Sequence, residues 1–227
     1  MTRWCGRVAV SPVGTGVVAM AFALVVISAG GAEARGDVGT PAPAPVAATP
    51  DTVPSLDRVR DLLGPEGDRA EGLAALAGFA ASLPPARATF WTQVLAGVER
   101  TDPGLAPLLL EAAGAAEGGR GRAAARRLEG AVDGAREGDR SALLWLGALA
   151  VQGEDPADAA RLRERIISEH PDGPEAPEAI LRQARWLLDV GDDRERALAL
   201  LEELIVERPD HPAAPQARAL LLARRGG

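Results

Sequence analysis

Apolar positions along the chain fall into three regimes. Val17 to Ala29 is an apolar run with Ser28 its one polar residue, preceded by Arg3 and Arg7 and followed by Gly30, Gly31 and Ala32-Glu33-Ala34. Residues 35–54 hold five prolines and almost nothing to bury, which is the composition of an extended, semi-rigid spacer. From Ser55 onward the pattern is helical. Leu56, Val59, Leu62 and Leu63 mark a short amphipathic helix that begins at Pro54-Ser55 and stops at Gly64-Pro65.

The remainder repeats, most clearly near the C-terminus. Ile167–Leu181 and Ile205–Ala219, 38 residues apart, agree at eight of fifteen positions, among them Pro171/Pro209, Asp172/Asp210, Pro174/Pro212 and Pro177/Pro215. A period in the thirties within a helical pattern implies stacked hairpins. Leu143-x-x-Leu146-Gly147-x-x-Ala150, Ala159-x-x-x-Arg163 and Pro171 set a spacing. It returns as Leu181-x-x-Ala184-Arg185-x-x-Leu188, Ala197-x-x-x-Leu201 and Pro209. A 34-residue step backwards reaches Leu109, Ala112, Ala113, Ala116 and Ala125, and a second reaches Ala75, Gly78, Phe79, Ser82, Trp91, Leu95 and Pro103.

The predicted frame is therefore 55–71 as helix and connector, then units 72–105, 106–139 and 140–173. An insertion, Pro174–Pro177, precedes the unit 178–211, and 213–225 forms a closing helix. Gly78, Ala112, Gly147 and Ala184 on first helices, with Ala125, Ala159 and Ala197 on second helices, supply small side chains where two helices cross. Helices of about a dozen residues do not persist alone, so each hairpin depends on its neighbours. Predicted boundaries include the Asp155-Pro156 cap, Gly191 as a stop, Asp192-x-x-Glu195 as a capping-box variant, and a Glu178–Arg182 pair.

This spacing resembles the tetratricopeptide repeat, W-x2-L-G-x2-Y…A-x3-F…P. The resemblance implies an all-α fold, a right-handed solenoid of stacked helical hairpins with a C-terminal closing helix. Three residues depart from the pattern: Trp91 stands at a small position, Arg163 at an aromatic one and Arg185 at a small one. Residues 140–217, with their HPDGPEAPEA linker, are similar to repeats of bacterial periplasmic proteins that serve envelope assembly, of the outer-membrane-assembly lipoprotein and Tol-Pal-associated coordinator types. That similarity implies a protein or peptide partner in the envelope. In repeats of this type the first helix of each hairpin lines a concave face. Here that face would carry Leu144, Ala148, Val151, Gln152, Arg182, Trp186 and Asp189. Trp186 is then either an anchor for the partner or core beneath the closing helix. Trp145 is expected in the core.

Composition narrows the function. The 25 basic residues are all arginine, and there is no tyrosine, so Schiff-base lysines, a P-loop lysine and tyrosine acids are excluded. A net charge of -7 argues against nucleic acid, since only Arg120, Arg122, Arg126 and Arg127 cluster. No small-molecule substrate is evident. The N-terminal pattern reads as an export signal cleaved after Ala34, giving a periplasmic or extracellular protein. The alternative is an inner-membrane anchor through residues 8–32, and membrane association is expected only if that segment is retained. Cys5 precedes the apolar run, so it is not a lipid-bearing cysteine, and the chain after residue 34 has no thiol.

No catalytic constellation emerges. His170 and His211 read as solvated turn residues beside prolines, and no serine sits in a G-x-S-x-G setting. Gly118-Gly119-Arg120-Gly121 reads as the turn inside a hairpin, with anion binding at its amides as the sharper alternative. Arg35-Gly36-Asp37 is a coincidental match to an adhesion tripeptide. The reading is a non-catalytic exported scaffold without cofactor or metal. The alternatives are an accessory module of an envelope or cell-wall enzyme complex and a membrane-anchored structural adaptor.

Overall fold

A computed structural model describes residues 53–190 and 193–225. The predicted export segment 1–34, the spacer up to residue 52, and the boundary read at Gly191 and Asp192 lie outside the described residues. Among the described residues every regular element is helical. The order is α1 (Leu56–Leu62), α2 (Arg69–Ala81), α3 (Pro85–Arg100), a 3-10 turn (Pro103–Leu105), α4 (Ala106–Glu117), α5 (Gly121–Ala131) and α6 (Glu137–Val151). There follow α7 (Pro156–Glu169), α8 (Ala176–Asp189), α9 (Arg194–Glu207) and α10 (Ala213–Arg225).

Local chemistry explains where these helices begin. Ser55 caps α1 by accepting the Arg58 N–H at 3.3 Å. Asp155 caps α7 ahead of Pro156, as predicted, accepting the Asp158 N–H at 3.1 Å. α9 opens one residue later than the capping-box reading: its cap is Asp193, which accepts the Arg196 N–H at 3.0 Å. Glu195 thus stands at the second helical position, too early to reach back to the cap.

α4–α5, α6–α7 and α8–α9 stack as successive hairpins, and α10 covers α9 and α8. Small residues make the crossings close. A β-carbon at Gly147 would stand 3.4 Å from Leu162 Cδ1 on α7 and 3.7 Å from the Ala125 Cα on α5. Gly147 therefore serves the contact with the preceding hairpin as well as that within its own. At Gly121 a β-carbon would fall 2.2 Å from the Ala150 carbonyl oxygen, so α5 can start against the end of α6 only with glycine. Gly78 corrects the sequence reading: it is exposed, and α2 buries Gly72, Leu76 and Ala80 instead.

The N-terminal unit packs differently from the others. α3, rather than α2, lies against α4, and it reaches on to α6. Trp91, at the position where the repeat wants a small residue, is fully buried and meets Phe79 and Phe90 edge-on, with centroids 5.0 and 6.0 Å away. Along α3, Gln93 Oε1 accepts the Trp145 Nε1–H at 3.2 Å, and Arg100 pairs with the buried Glu175 at 2.6 Å. This helix follows α6 to the start of α8.

The buried apolar residues form two clusters. One runs from α1 to α7 and takes in Ala176 and Ala179 at the start of α8; the other joins α8, α9 and α10. The division falls within α8, between Ala179 and Ile180, just after the Pro174–Pro177 insertion.

Second helices are stitched by ion pairs at a constant separation. Glu129 on α5 receives Arg161 on α7 at 2.7 Å, and Glu164 on α7 receives Arg196 on α9, 32 residues apart in both cases. The Arg161 guanidinium, with Arg165 behind it, holds the Glu129 carboxyl below its usual 4.5, and Arg87 does the same for Glu117. A carboxyl lowered in the folded state contributes stability above the unfolded value and loses it as pH falls through the folded one. Thermal melts should be flat from about pH 7 to 5 and fall below about pH 4.5, and Glu129→Gln should reduce that fall by up to about 1 kcal/mol. An unchanged acid limb in the variant would remove Glu129 from the account.

Candidate partner-binding cleft

α6 and α8 do not pack along their length as neighbouring first helices would. Their starts are joined, since the Ser141 hydroxyl donates to Glu175 Oε2 at 2.5 Å, but farther along large side chains hold them apart. Trp145, 3% exposed, projects from α6, and the Arg182 guanidinium of α8 lies 5.3 Å from its ring centroid. Arg163 enters the gap from α7. The result is a recess of about 270 Å³ lined by Gln152, Pro156, Arg163, Arg182, Arg185 and Trp186.

Each lining residue has a definite setting. Trp186 is half-buried against the second core cluster, and its indole N–H is buried without a hydrogen-bond partner. Arg182 Nε donates to Glu178 Oε1 at 3.1 Å, the predicted pair. Arg185 is exposed and donates to Gln216 on α10 at 2.9 Å. Arg163 is 5% exposed; its Nε donates to the buried Gln183 Oε1 at 3.2 Å. Burial, with Arg182 adding repulsion, pushes the Arg163 pKa down to about 10, so the group stays charged at neutral pH.

Of the predicted face, Trp186, Arg182 and Gln152 come together in this recess. Leu144, Ala148 and Val151 do not face a groove: all three are buried, on the side of α6 that carries Gly147 and packs against α5 and α7. α3 lies over the other side of α6, at Trp145 and Leu146. Asp189 turns away to pair with Arg224 of α10 at 2.9 Å. Half-buried Trp186 packs on the second core cluster and also lines the recess. Arg163 and Arg185 were absent from the predicted face. Their signal was the departure from the repeat pattern, a guanidinium where the fold wants an aromatic ring and another where it wants a small residue.

A second recess of about 320 Å³ shares Gln152 with the first and is walled by Phe90, Leu149, Ala86 and Ala116 beside the Arg87–Glu117 pair. The first recess is lined largely by arginines and the second largely by apolar side chains, with Gln152 common to both.

The other candidate sites are filled by the chain itself. At the predicted hairpin turn, for which anion binding was the alternative reading, the amides of Gly121 and Arg122 donate to the Glu154 carboxylate. His170 is not solvated: its side chain is 9% exposed and Nδ1 lies 3.2 Å from Glu137. His211 Nδ1 accepts the Ala213 N–H at 3.1 Å at the start of α10. Among the described residues no group of three or more His, Cys, Asp or Glu side chains is placed to hold a metal ion, and no helix is long and apolar enough to cross a membrane.

The tetratricopeptide repeat model matches residues 178–211, the fourth unit of the 34-residue frame, which is α8 and α9. No curated protein and no solved structure gives a significant match.

Proposed function

We propose that this chain is an exported, non-catalytic scaffold that holds a protein or peptide partner in the groove where the third and fourth hairpins part. The tetratricopeptide repeat at 178–211 suggests a protein-interaction scaffold. The observation that carries the site is the recess itself: a half-buried tryptophan with an unmet N–H, beside arginines and Gln152, at the one junction where α6 and α8 stand apart. Tryptophan and arginine are both enriched among the residues that anchor partners. Export is supported by Arg3 and Arg7, the apolar run Val17–Ala29 and the Ala32-Glu33-Ala34 site.

Partner capture from envelope extract, compared between wild type and Trp186→Ala, tests the site. The variant should lose at least about 1–2 kcal/mol of capture affinity. Its melting temperature should fall by less than a full core truncation would cause, because the ring is only half-buried. Capture equal to wild type would remove Trp186 from the interface. Intact mass of the native protein should place Arg35 at the N-terminus; a mass retaining residues 1–34 would favour the membrane-anchored adaptor.

A further inference from the structure

The arginine cluster of α5 divides in the fold. Arg122 reaches the next hairpin and pairs with Asp155 at 3.2 Å, and Arg126 is exposed with no partner among the described residues. Arg120 and Arg127 line a recess of about 250 Å³, which Arg60 joins from α1. This recess lies on a single hairpin, α4–α5, where α1 touches it, and shares no residue with the Trp186 cleft. Its floor is made of small side chains, Ala112, Ala115, Ala123 and Ala124, which leave open space between the guanidinium groups. Glu111 is the one carboxylate in the lining, and it is paired with Arg127. Arg60 pairs with Asp57 of its own helix at 3.0 Å, and Arg120 has no partner among the described residues. Both pairs are exposed, and exposed pairs hold their members weakly, so these guanidinium groups can turn to a stronger acceptor. The whole chain carries a net charge of -7, yet here three cations stand beside one carboxylate.

Gly114 supplies a second observation. α4 reads Ala112-Ala113-Gly114-Ala115-Ala116, and glycine is a far poorer helix former than the alanines around it. A β-carbon at 114 would stand 2.9 Å from Arg60 Nη2. The helix therefore lacks a methyl at the position where one would push the Arg60 guanidinium aside. From this geometry we infer that the recess is a phosphate site, in which Arg60, Arg120 and Arg127 close on one phosphomonoester dianion. A carboxylate offers two oxygens in one plane and is satisfied by a single guanidinium fork, whereas a phosphate presents three terminal oxygens in different directions. Guanidinium groups from α1, from the cap of α5 and from two turns along α5 suit the second shape. Arg127 has donors enough to keep Glu111 and take a phosphate oxygen as well. The phosphate is that of a small soluble ester or of a lipid headgroup, and the chemistry at the recess is the same for both.

Calorimetry on the full chain tests the site with glycerol 3-phosphate and with glycerate, which carries a carboxylate in place of the phosphate ester. Glycerol 3-phosphate should bind at a Kd at least about tenfold below that of glycerate. Its binding should weaken severalfold between about pH 7.5 and 5, because the ester loses its second charge near pH 6. Arg120→Gln removes a guanidinium that holds nothing else, so it should weaken phosphate binding at least about tenfold and leave the melting temperature unchanged. Gly114→Ala, which displaces Arg60, should also weaken binding while melting no lower than wild type. Arg126→Gln, an unpaired arginine outside the recess, should leave the Kd as it is. Equal binding of glycerate overturns the inference, and so does an equal loss in Arg126→Gln and Arg120→Gln, which would mean general attraction to a basic surface. Sedimentation with phosphatidylcholine vesicles, with and without phosphatidic acid, identifies the source. Arg120-dependent sedimentation that requires phosphatidic acid assigns the site to a headgroup, and calorimetric binding without sedimentation assigns it to a soluble ester. Binding of neither probe overturns the proposal.

Discussion

Replacing Trp91 by alanine should destabilise the protein by about 3–5 kcal/mol, among the largest effects of any single substitution in the chain. The ring is fully buried, and it meets Phe79 of α2 and Phe90 of its own helix edge-on. Its loss removes the transfer free energy of a large side chain, leaves a cavity, and dissolves two aromatic contacts worth about 0.5–1.5 kcal/mol each beyond area. For a domain of this size the melting temperature should drop by roughly 10 °C or more. Trp91→Phe keeps both an aromatic ring and most of the volume and should cost far less. The two variants together separate packing from any accident of misfolding. The same change should loosen α3 over α6 and admit hydrogen exchange to the α6 amides around Trp145 and Leu146. An Ala variant melting with the wild type would mean that α3 does not depend on this cluster.

Much of the fold was legible because its physics is local or periodic. The helix starts at Ser55 and Asp155 follow from cap chemistry, and the fourth unit, 178–211, coincides with the matched repeat because its small and apolar residues fall at the expected spacing. The path of α3 was not legible. Spacing alone places Gly78 and Trp91 in a regular hairpin, whereas Trp91 is too large for a crossing and becomes the centre of a separate aromatic cluster, carrying α3 onto α4 and α6. The predicted concave face fails for a separate reason: Leu144, Ala148 and Val151 lie on the side of α6 turned to α5 and α7 and are buried there. The remaining site was visible only as exceptions. Arg163 replaces the aromatic residue that would fill the space between α7 and α8, and Trp145 with Arg182 fills it only in part, which is why the recess exists. A pattern read for what it conforms to finds the scaffold; read for where it fails, it finds the groove.

The division of the core into two clusters carries the second large prediction. Deleting residues 212–227 removes α10, which covers Leu181, Ala184, Ala197 and Leu201 with Ala213, Ala217 and its other inward residues. Exposure of four fully buried apolar side chains at about 25 cal/mol per Å² amounts to several kcal/mol, more than any one substitution there would remove. The loss should not spread evenly. α8 and α9 belong to the second cluster and lose their outer neighbour, whereas α4 to α7 draw on the first cluster and keep theirs. In a quasi-one-dimensional stack, stability is a sum of unit and nearest-neighbour terms, so a missing cap acts first on the adjoining unit. Hydrogen exchange of the truncated chain should therefore show collapsed protection across 176–207 with α4–α7 close to the full-length values, and its thermal melt should broaden or divide into two transitions. The Arg163 recess would be lost at once, because Arg182, Arg185 and Trp186 all ride on α8. If protection falls equally from α4 to α9, the two clusters fold as one cooperative unit. The division of the core within α8 would then be a feature of shape and not of stability.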